Sequence, residues 1–222
     1  MNLQDWIDKG KPLSSFINCD CMELMATIPD KYFELCICDP PYGIGGGLKG
    51  GRPFSMLNGD KWDNPPDDKY FAELYRISNN QIIWGGNYFN LGRTRGFIIW
   101  HKENDGRSFS ECEFAWTSFE CPSRIYKQRF IGKKESLHPT EKPTALYRWL
   151  LQKYAKKGDK IFDSHVGSAS SLIACSLEGF EYVGCELDSD YYKEARLRLL
   201  KETDRNNYIK EIKDTNFFSK RK

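Results

Sequence analysis

Long apolar runs are missing from this chain of 222 residues, and so is any strong imbalance of charge. No stretch approaches the ~20 consecutive apolar residues of a membrane span, which excludes a helical membrane class. The start, Met1-Asn2-Leu3-Gln4-Asp5-Trp6, has an acid where a signal peptide needs its apolar segment, so a cytoplasmic protein is expected. Lys and Arg number 33 against 31 Asp and Glu, a net charge of +2, so any nucleic-acid surface must be local. Histidine is scarce, at three residues. The Cys-x-Cys pairs at 19/21 and 36/38, among eight cysteines, lack the two-residue gap of a zinc knuckle, and no metal is expected. Six cysteines (Cys19, Cys21, Cys36, Cys38, Cys175 and Cys185) fall in or beside apolar segments and read as small, reduced, buried side chains. Repeats and an interdomain linker are absent too. The length suits one domain with a sizeable core, over 1–202, followed by a polar tail at 203–222.

What is present is an alternation of strands and helices. Ser15–Cys19 reads as a short strand, and Asp20 caps a helix carrying Met22, Leu24, Met25 and Ile28. Phe33–Cys38 is an apolar run, interrupted by Glu34 alone, that reads as a buried strand. Seven glycines lie between Gly43 and Gly59, in a long loop that runs to Pro66. Asp67–Ser78 places Tyr70, Phe71, Leu74 and Ile77 on one helical face. Gln81–Trp84 and Phe97–Trp100 are short apolar strands, while Glu113–Phe119 and Ser123–Phe130 alternate as a hairpin around Cys121-Pro122. Pro143 opens a helix to about Ala155.

The last third forms a βαβ unit. Lys160–Asp163 is a strand, Ser164–Ser168 a turn, Ala169–Leu177 a helix closed by Gly179, and Tyr182–Glu186 a second strand. A long polar helix follows from Asp188 to about Lys201. A strand, a glycine turn and an acid at the end of the next strand describe a site for a nucleoside-bearing cofactor: turn amides take the polar tail and the acid takes ribose hydroxyls. Only Gly167 stands in the turn, without a G-x-G-x-x-G, which suits a nucleoside without phosphates better than a dinucleotide.

The most telling residues are Asp39-Pro40-Pro41-Tyr42, at the end of the Phe33–Cys38 strand. A carboxylate and a proline-fixed carbonyl can accept the two hydrogens of an exocyclic amino group while the aromatic stacks on its ring. A plain strand-ending turn is the other reading, because Asp and Pro are ordinary turn residues.

These pieces in this order resemble the β-type amino-methylating DNA methyltransferases, which use S-adenosylmethionine (SAM). The resemblance runs from about Ser15 to Leu200. It rests on Asp39-Pro40-Pro41-Tyr42, a recognition stretch within about 101–137, His138-Pro139-Thr140-Glu141-Lys142-Pro143, Asp163-Ser164-His165-Val166-Gly167-Ser168-Ala169-Ser170, and Glu186. It implies a Rossmann-like α/β methyltransferase fold, with a mostly parallel twisted sheet, an antiparallel hairpin strand and helices on both faces. It implies a catalytic set of Asp39, Pro40, Pro41 and Tyr42. The cofactor set it implies is Asp20, Lys142, Asp163, Gly167, Ser168 and Glu186, with SAM bound and no metal. The implied reaction is methyl transfer to the N6 of an adenine flipped out of duplex DNA, by a monomer or homodimer. Phosphate contacts are expected from Arg124, Lys127, Arg129, Lys133 and Lys134, interleaved with Tyr126 and Phe130. Two departures stand out: Ala169 replaces a usual glycine, and the recognition stretch is short. Transfer to cytosine N4 is the alternative chemistry, Asp39 leaning toward adenine by resemblance, and a SAM- or DNA-binding module with little turnover is the alternative of another class.

Overall fold

The computed structural model describes residues 1–44, 63–104, 106, 110–129 and 141–215. The chain opens with a short helix, α1 (Leu3–Asp8), held by a reciprocal capping box between Asn2 and Asp5. Its single buried apolar side chain, Trp6, is too little pattern to announce a helix from periodicity. Then come β1 (Ser15–Asn18), α2 (Cys21–Ala26), β2 (Phe33–Cys38), α3 (Asp68–Ile77) and β3 (Ser78–Trp84). They are followed by β4 (Phe97–His101), β5 (Cys112–Thr117), β6 (Arg124–Lys127) and α4 (Thr144–Tyr154). The βαβ unit is β7 (Lys160–Asp163), α5 (Ser170–Glu178) and β8 (Glu181–Glu186), after which come α6 (Ser189–Thr203) and α7 (Arg205–Thr215).

Two compact units emerge: Met1–Leu24 with Gly132–Lys222, and Met25–Ile131. In the first unit the strands run β1-β8-β7, all parallel. The central residues of β7 and β8 are buried, with Ile161, Phe162, Tyr182, Val183 and Cys185 in the core. Helix α5 packs on β7, β8 and α4 through Leu172, Ile173, Ala174 and Cys175. It ends at Gly179, whose left-handed backbone caps it. Helix α6 starts at Asp188, whose carboxylate accepts from the amides of Asp190 and Tyr191. The stretch expected as a polar tail begins instead as α7, which packs on α6 and joins it through the Arg196–Glu211 ion pair.

In the second unit the strand order is β2-β3-β5-β4-β6. Strands β2 and β3 pair in parallel, β5 is antiparallel to both β3 and β4, and β6 is parallel to β4. Helix α3, capped by Asp67, packs on β3 and buries Tyr70, Phe71, Leu74 and Ile77. The expected hairpin therefore moves one strand earlier: β4 and β5 form it, and β5 and β6 do not pair. The reason is geometric. Both edges of β5 are taken, by β3 and by β4, so β6 has only the far edge of β4 to join. The connection passes so close to Gly96 that any side chain there would collide with the backbone of Cys121 and Ser123. Cys36, Cys38, Cys175 and Cys185 are buried, and Cys19 and Cys21 half-buried. No helix among the described residues is long and apolar enough to cross a membrane.

Candidate functional site

In the second unit, β2 delivers Asp39 and Pro40 at its carboxyl end, with Pro40 buried and Asp39 half-buried. The Tyr42 hydroxyl donates to Asp39 Oδ1 at 2.6 Å, so acid and aromatic hold each other in one arrangement. Burial, and next the negative charge of Asp39, push the Tyr42 phenol well above its usual pKa. The phenol therefore remains a neutral donor through the physiological range.

The surroundings of Tyr42 come from the end of β3. Gly85 has a left-handed backbone (φ +69°), and a side chain there would run into the Tyr42 ring. The turn it opens, closed by the Tyr88 amide donating to the Gly85 carbonyl at 2.8 Å, stacks Tyr88 on Tyr42 at 5.1 Å and 22°. Phe89 meets Tyr42 edge-on at 6.2 Å. Sequence reasoning placed none of these residues at the site. The Gly85-Gly86 pair after an apolar strand was the available signal. Gly43 donates its amide to Asp63 at 2.9 Å, and the glycine-rich stretch of 45–62 lies outside the described residues. Trp100 is 1% exposed, with its indole donating to the Gln128 carbonyl at 3.1 Å, so it is core rather than a stacking surface.

Of the basic residues expected on DNA, Arg124, Lys127 and Arg129 are exposed on or just after β6, the last strand of its sheet. Strand alternation sends Arg124 and Lys127 to opposite faces, so they do not form one basic patch. Lys133, Lys134 and His138 lie outside the described residues.

The first unit carries the residues expected on the cofactor. Asp163, at the end of β7, is 2% exposed. Its Oδ1 accepts the His165 amide at 3.0 Å and its Oδ2 the Ser171 hydroxyl at 2.5 Å, which ties the turn to the first residues of α5. Glu186, at the end of β8, accepts the Gly167 amide on Oε2 and the Asp188 amide on Oε1, both at 3.0 Å. Burial raises its pKa against the pull of those two amides. Asn18 at the end of β1 donates to the carbonyls of Glu186 and Leu187 at 2.8 and 3.1 Å, fixing the strand end that presents this acid. Asp20 accepts the Met22 amide at 2.7 Å and so opens α2. Lys142, just before α4, is buried at 4% exposure.

These residues fit a nucleoside with a polar tail. The Glu186 carboxylate has about four acceptor positions, of which the amides of Asp188, Gly167 and Leu187 use three, leaving capacity for a ribose hydroxyl. Gly167 sits at φ +53°, and a side chain added there would meet nothing within 4 Å, so the space above the turn is open. Ala169, the departure from a glycine pattern, is left-handed too (φ +67°) and fully buried. Its methyl is packed inside the protein and does not project into that open space.

Comparison with known proteins follows from this geometry. The family described as DNA methylase matches residues 99–197. YubD of Escherichia coli (strain K12), whose name styles it a methylase, is 26% identical over 205 residues, 84% of this chain and 90% of that protein. Among solved structures, the M1.HpyAVI–SAM complex aligns with a TM-score of 0.55 at 18% identity, over 83% of this chain and 98% of the other. The PvuII DNA methyltransferase (cytosine-N4-specific) aligns with a TM-score of 0.57 at 13% identity, over 88% and 92%. The fold class is thus that of SAM-dependent methyltransferases, an α/β fold with a mostly parallel mixed sheet.

Proposed function

We propose that this chain, a SAM-dependent DNA methyltransferase of the N6/N4 kind, methylates the exocyclic N6 of adenine in duplex DNA. The observation that supports transfer to an exocyclic amino nitrogen is the end of β2, where Asp39, Pro40 and Tyr42 stand together with the Tyr42–Asp39 bond at 2.6 Å; the lean to adenine comes from the resemblance, through the acid at Asp39. SAM supplies a methyl group made electrophilic by its sulfonium.

The exocyclic nitrogen is a weak nucleophile because its lone pair is delocalised into the ring. The Asp39 carboxylate and the Pro40 carbonyl accept its two N–H groups, favouring a pyramidal nitrogen with an available lone pair. With SAM bound, this lone pair would be presented to the sulfonium methyl, and the N–H proton given up on transfer would pass to the Asp39 carboxylate that accepts it and from there to water. No covalent enzyme intermediate is needed, and positioning and electrostatics carry the acceleration. Tyr42 holds the Asp39 oxygen and lays its ring against the base. In a duplex the nitrogen is hidden, so the base is flipped out at a cost of roughly a few kcal/mol.

In the first unit, Glu186 takes the ribose hydroxyls, Asp20 the adenine amine of the cofactor, and the Ser168 amide and the Lys142 ammonium its amino-acid tail, while Gly167, its amide held by Glu186, leaves the turn open to the ligand and Asp163 keeps the turn in shape. Arg124, Lys127 and Arg129, with Lys133 and Lys134, are assigned to DNA phosphates. Cytosine N4 is the second reading, favoured by the likeness to the cytosine-N4-specific PvuII enzyme.

The test is transfer of a labelled methyl group from SAM into duplex DNA. Asp39→Ala should lose transfer by at least about a hundredfold, the usual effect of deleting a key electrostatic contact, while binding SAM like the parent. Transfer that survives in Asp39→Ala would contradict the assigned role.

A further inference from the structure

Arg198 lies on α6, outside every motif, and its guanidinium makes four hydrogen bonds and an ion pair with Glu141. Nη1 donates to the Ser168 carbonyl at 2.7 Å and to Ser170 Oγ at 3.0 Å. Nη2 reaches Thr144 Oγ1 at 3.4 Å and Glu141 Oε1 at 3.0 Å, and Nε donates to Glu202 Oε1 at 3.1 Å. The side chain is 16% exposed, so these bonds are not loose surface contacts screened away by water.

The bonds reach two segments far apart in sequence. One is the turn between β7 and α5, where Ser168 sits between two left-handed residues, Gly167 and Ala169. The helical ladder of α5 begins with the Ile173 amide on the Ala169 carbonyl, so the Ser168 carbonyl lies outside it and is held by Arg198. The other is Glu141-Lys142-Pro143 with Thr144, which leads into α4. Glu141 is adjacent to the buried Lys142, so anchoring its carboxylate fixes the backbone that carries that lysine. A planar guanidinium with fixed donor directions suits such a brace, where a lysine would offer a single point of charge.

We propose that Arg198 is a positioning residue for the amino-acid end of the cofactor: it braces the 167–170 turn against the segment bearing Lys142. This rests on the cofactor reading above, because the Ser168 amide and Lys142 are the groups assigned there to the methionine tail. Arg198 touches no reacting atom and acts through both segments at once. Its loss therefore lowers affinity for ligands that have the tail and spares ligands that lack it.

The experiment is calorimetric binding of S-adenosylhomocysteine, which keeps the tail, and of 5′-methylthioadenosine, which lacks it, to the full chain. Arg198→Met should weaken S-adenosylhomocysteine by about tenfold or more, as expected for losing hydrogen bonds to a charged group. 5′-Methylthioadenosine should stay within about twofold on the same basis. Arg198→Lys should restore only part of the loss. Glu141→Gln, which preserves shape, should show a smaller loss with the same selectivity, and it serves if Arg198→Met fails to fold. Equal weakening of both ligands, or of neither, overturns the proposal. A parent protein that binds neither ligand would overturn the cofactor reading itself, a result distinguishable from the others.

Discussion

Glu186, proposed above to take the cofactor's ribose hydroxyls, is held in a way that costs the ligand-free fold stability. Backbone amides hold its oxygens, yet burial dominates and raises its pKa above 4.5. Below that value both folded and unfolded chains carry the proton. As pH rises through it the unfolded chain ionises first, so unfolding becomes easier until the folded carboxyl ionises as well. Glu186→Gln removes that titration. The difference in melting temperature, variant minus parent, should therefore grow in favour of the variant from about pH 4 to about pH 7 in the absence of cofactor. A difference that stays flat or shrinks would show that Glu186 is not desolvated as described. Ala169 is the counterpart in backbone terms. Its left-handed conformation costs on the order of 1 kcal/mol relative to an ordinary one, and its buried methyl recovers roughly 0.8 kcal/mol. Alanine is thus tolerable at a position where the resemblance led to the expectation of glycine.

The βαβ unit depends on a close approach between its strand and its turn. A side-chain carbon added at Gly184, in the middle of β8, would lie 2.6 Å from Val166 and 2.9 Å from Leu172, so the residue must be glycine for the turn and α5 to seat on the strand. Gly184→Ala should destabilise the protein by about 1–3 kcal/mol through overpacking and weaken SAM binding with it, checked by chemical denaturation and by cofactor titration. An unperturbed variant would mean that the turn is not held by this contact. At this scale the sequence was readable wherever one signal sufficed. Phe33–Cys38 and Lys160–Asp163 are strands with the expected limits, because buried parallel strands appear as short apolar runs. Asp67 and Asp188 mark the starts of α3 and α6 by their own chemistry as caps. The partner of β6 was not readable, because pairing depends on which edge is free, and alternation along one strand carries no information about its neighbours' edges.

At the scale of the whole molecule, the order of motifs supplied what composition did not: a net charge of +2 points to no partner. The tetrapeptide, the turn and Glu186 are short local signals at strand ends, so the candidate site was visible in outline. Arg198, Asn18, Gly85 and Tyr88 were not, since each contributes through contacts with residues remote in the chain or through a turn that only the fold defines. Adenine and cytosine both present an amino group to the same pair of acceptors, Asp39 and Pro40. The decisive measurement is therefore the identity of the product. The protein is incubated with SAM and plasmid from a methylation-deficient host, and the DNA is digested to nucleosides and analysed by mass spectrometry. N6-methyladenine is the predicted product, and N4-methylcytosine, or no methylated nucleoside from a protein shown to bind SAM, would contradict it.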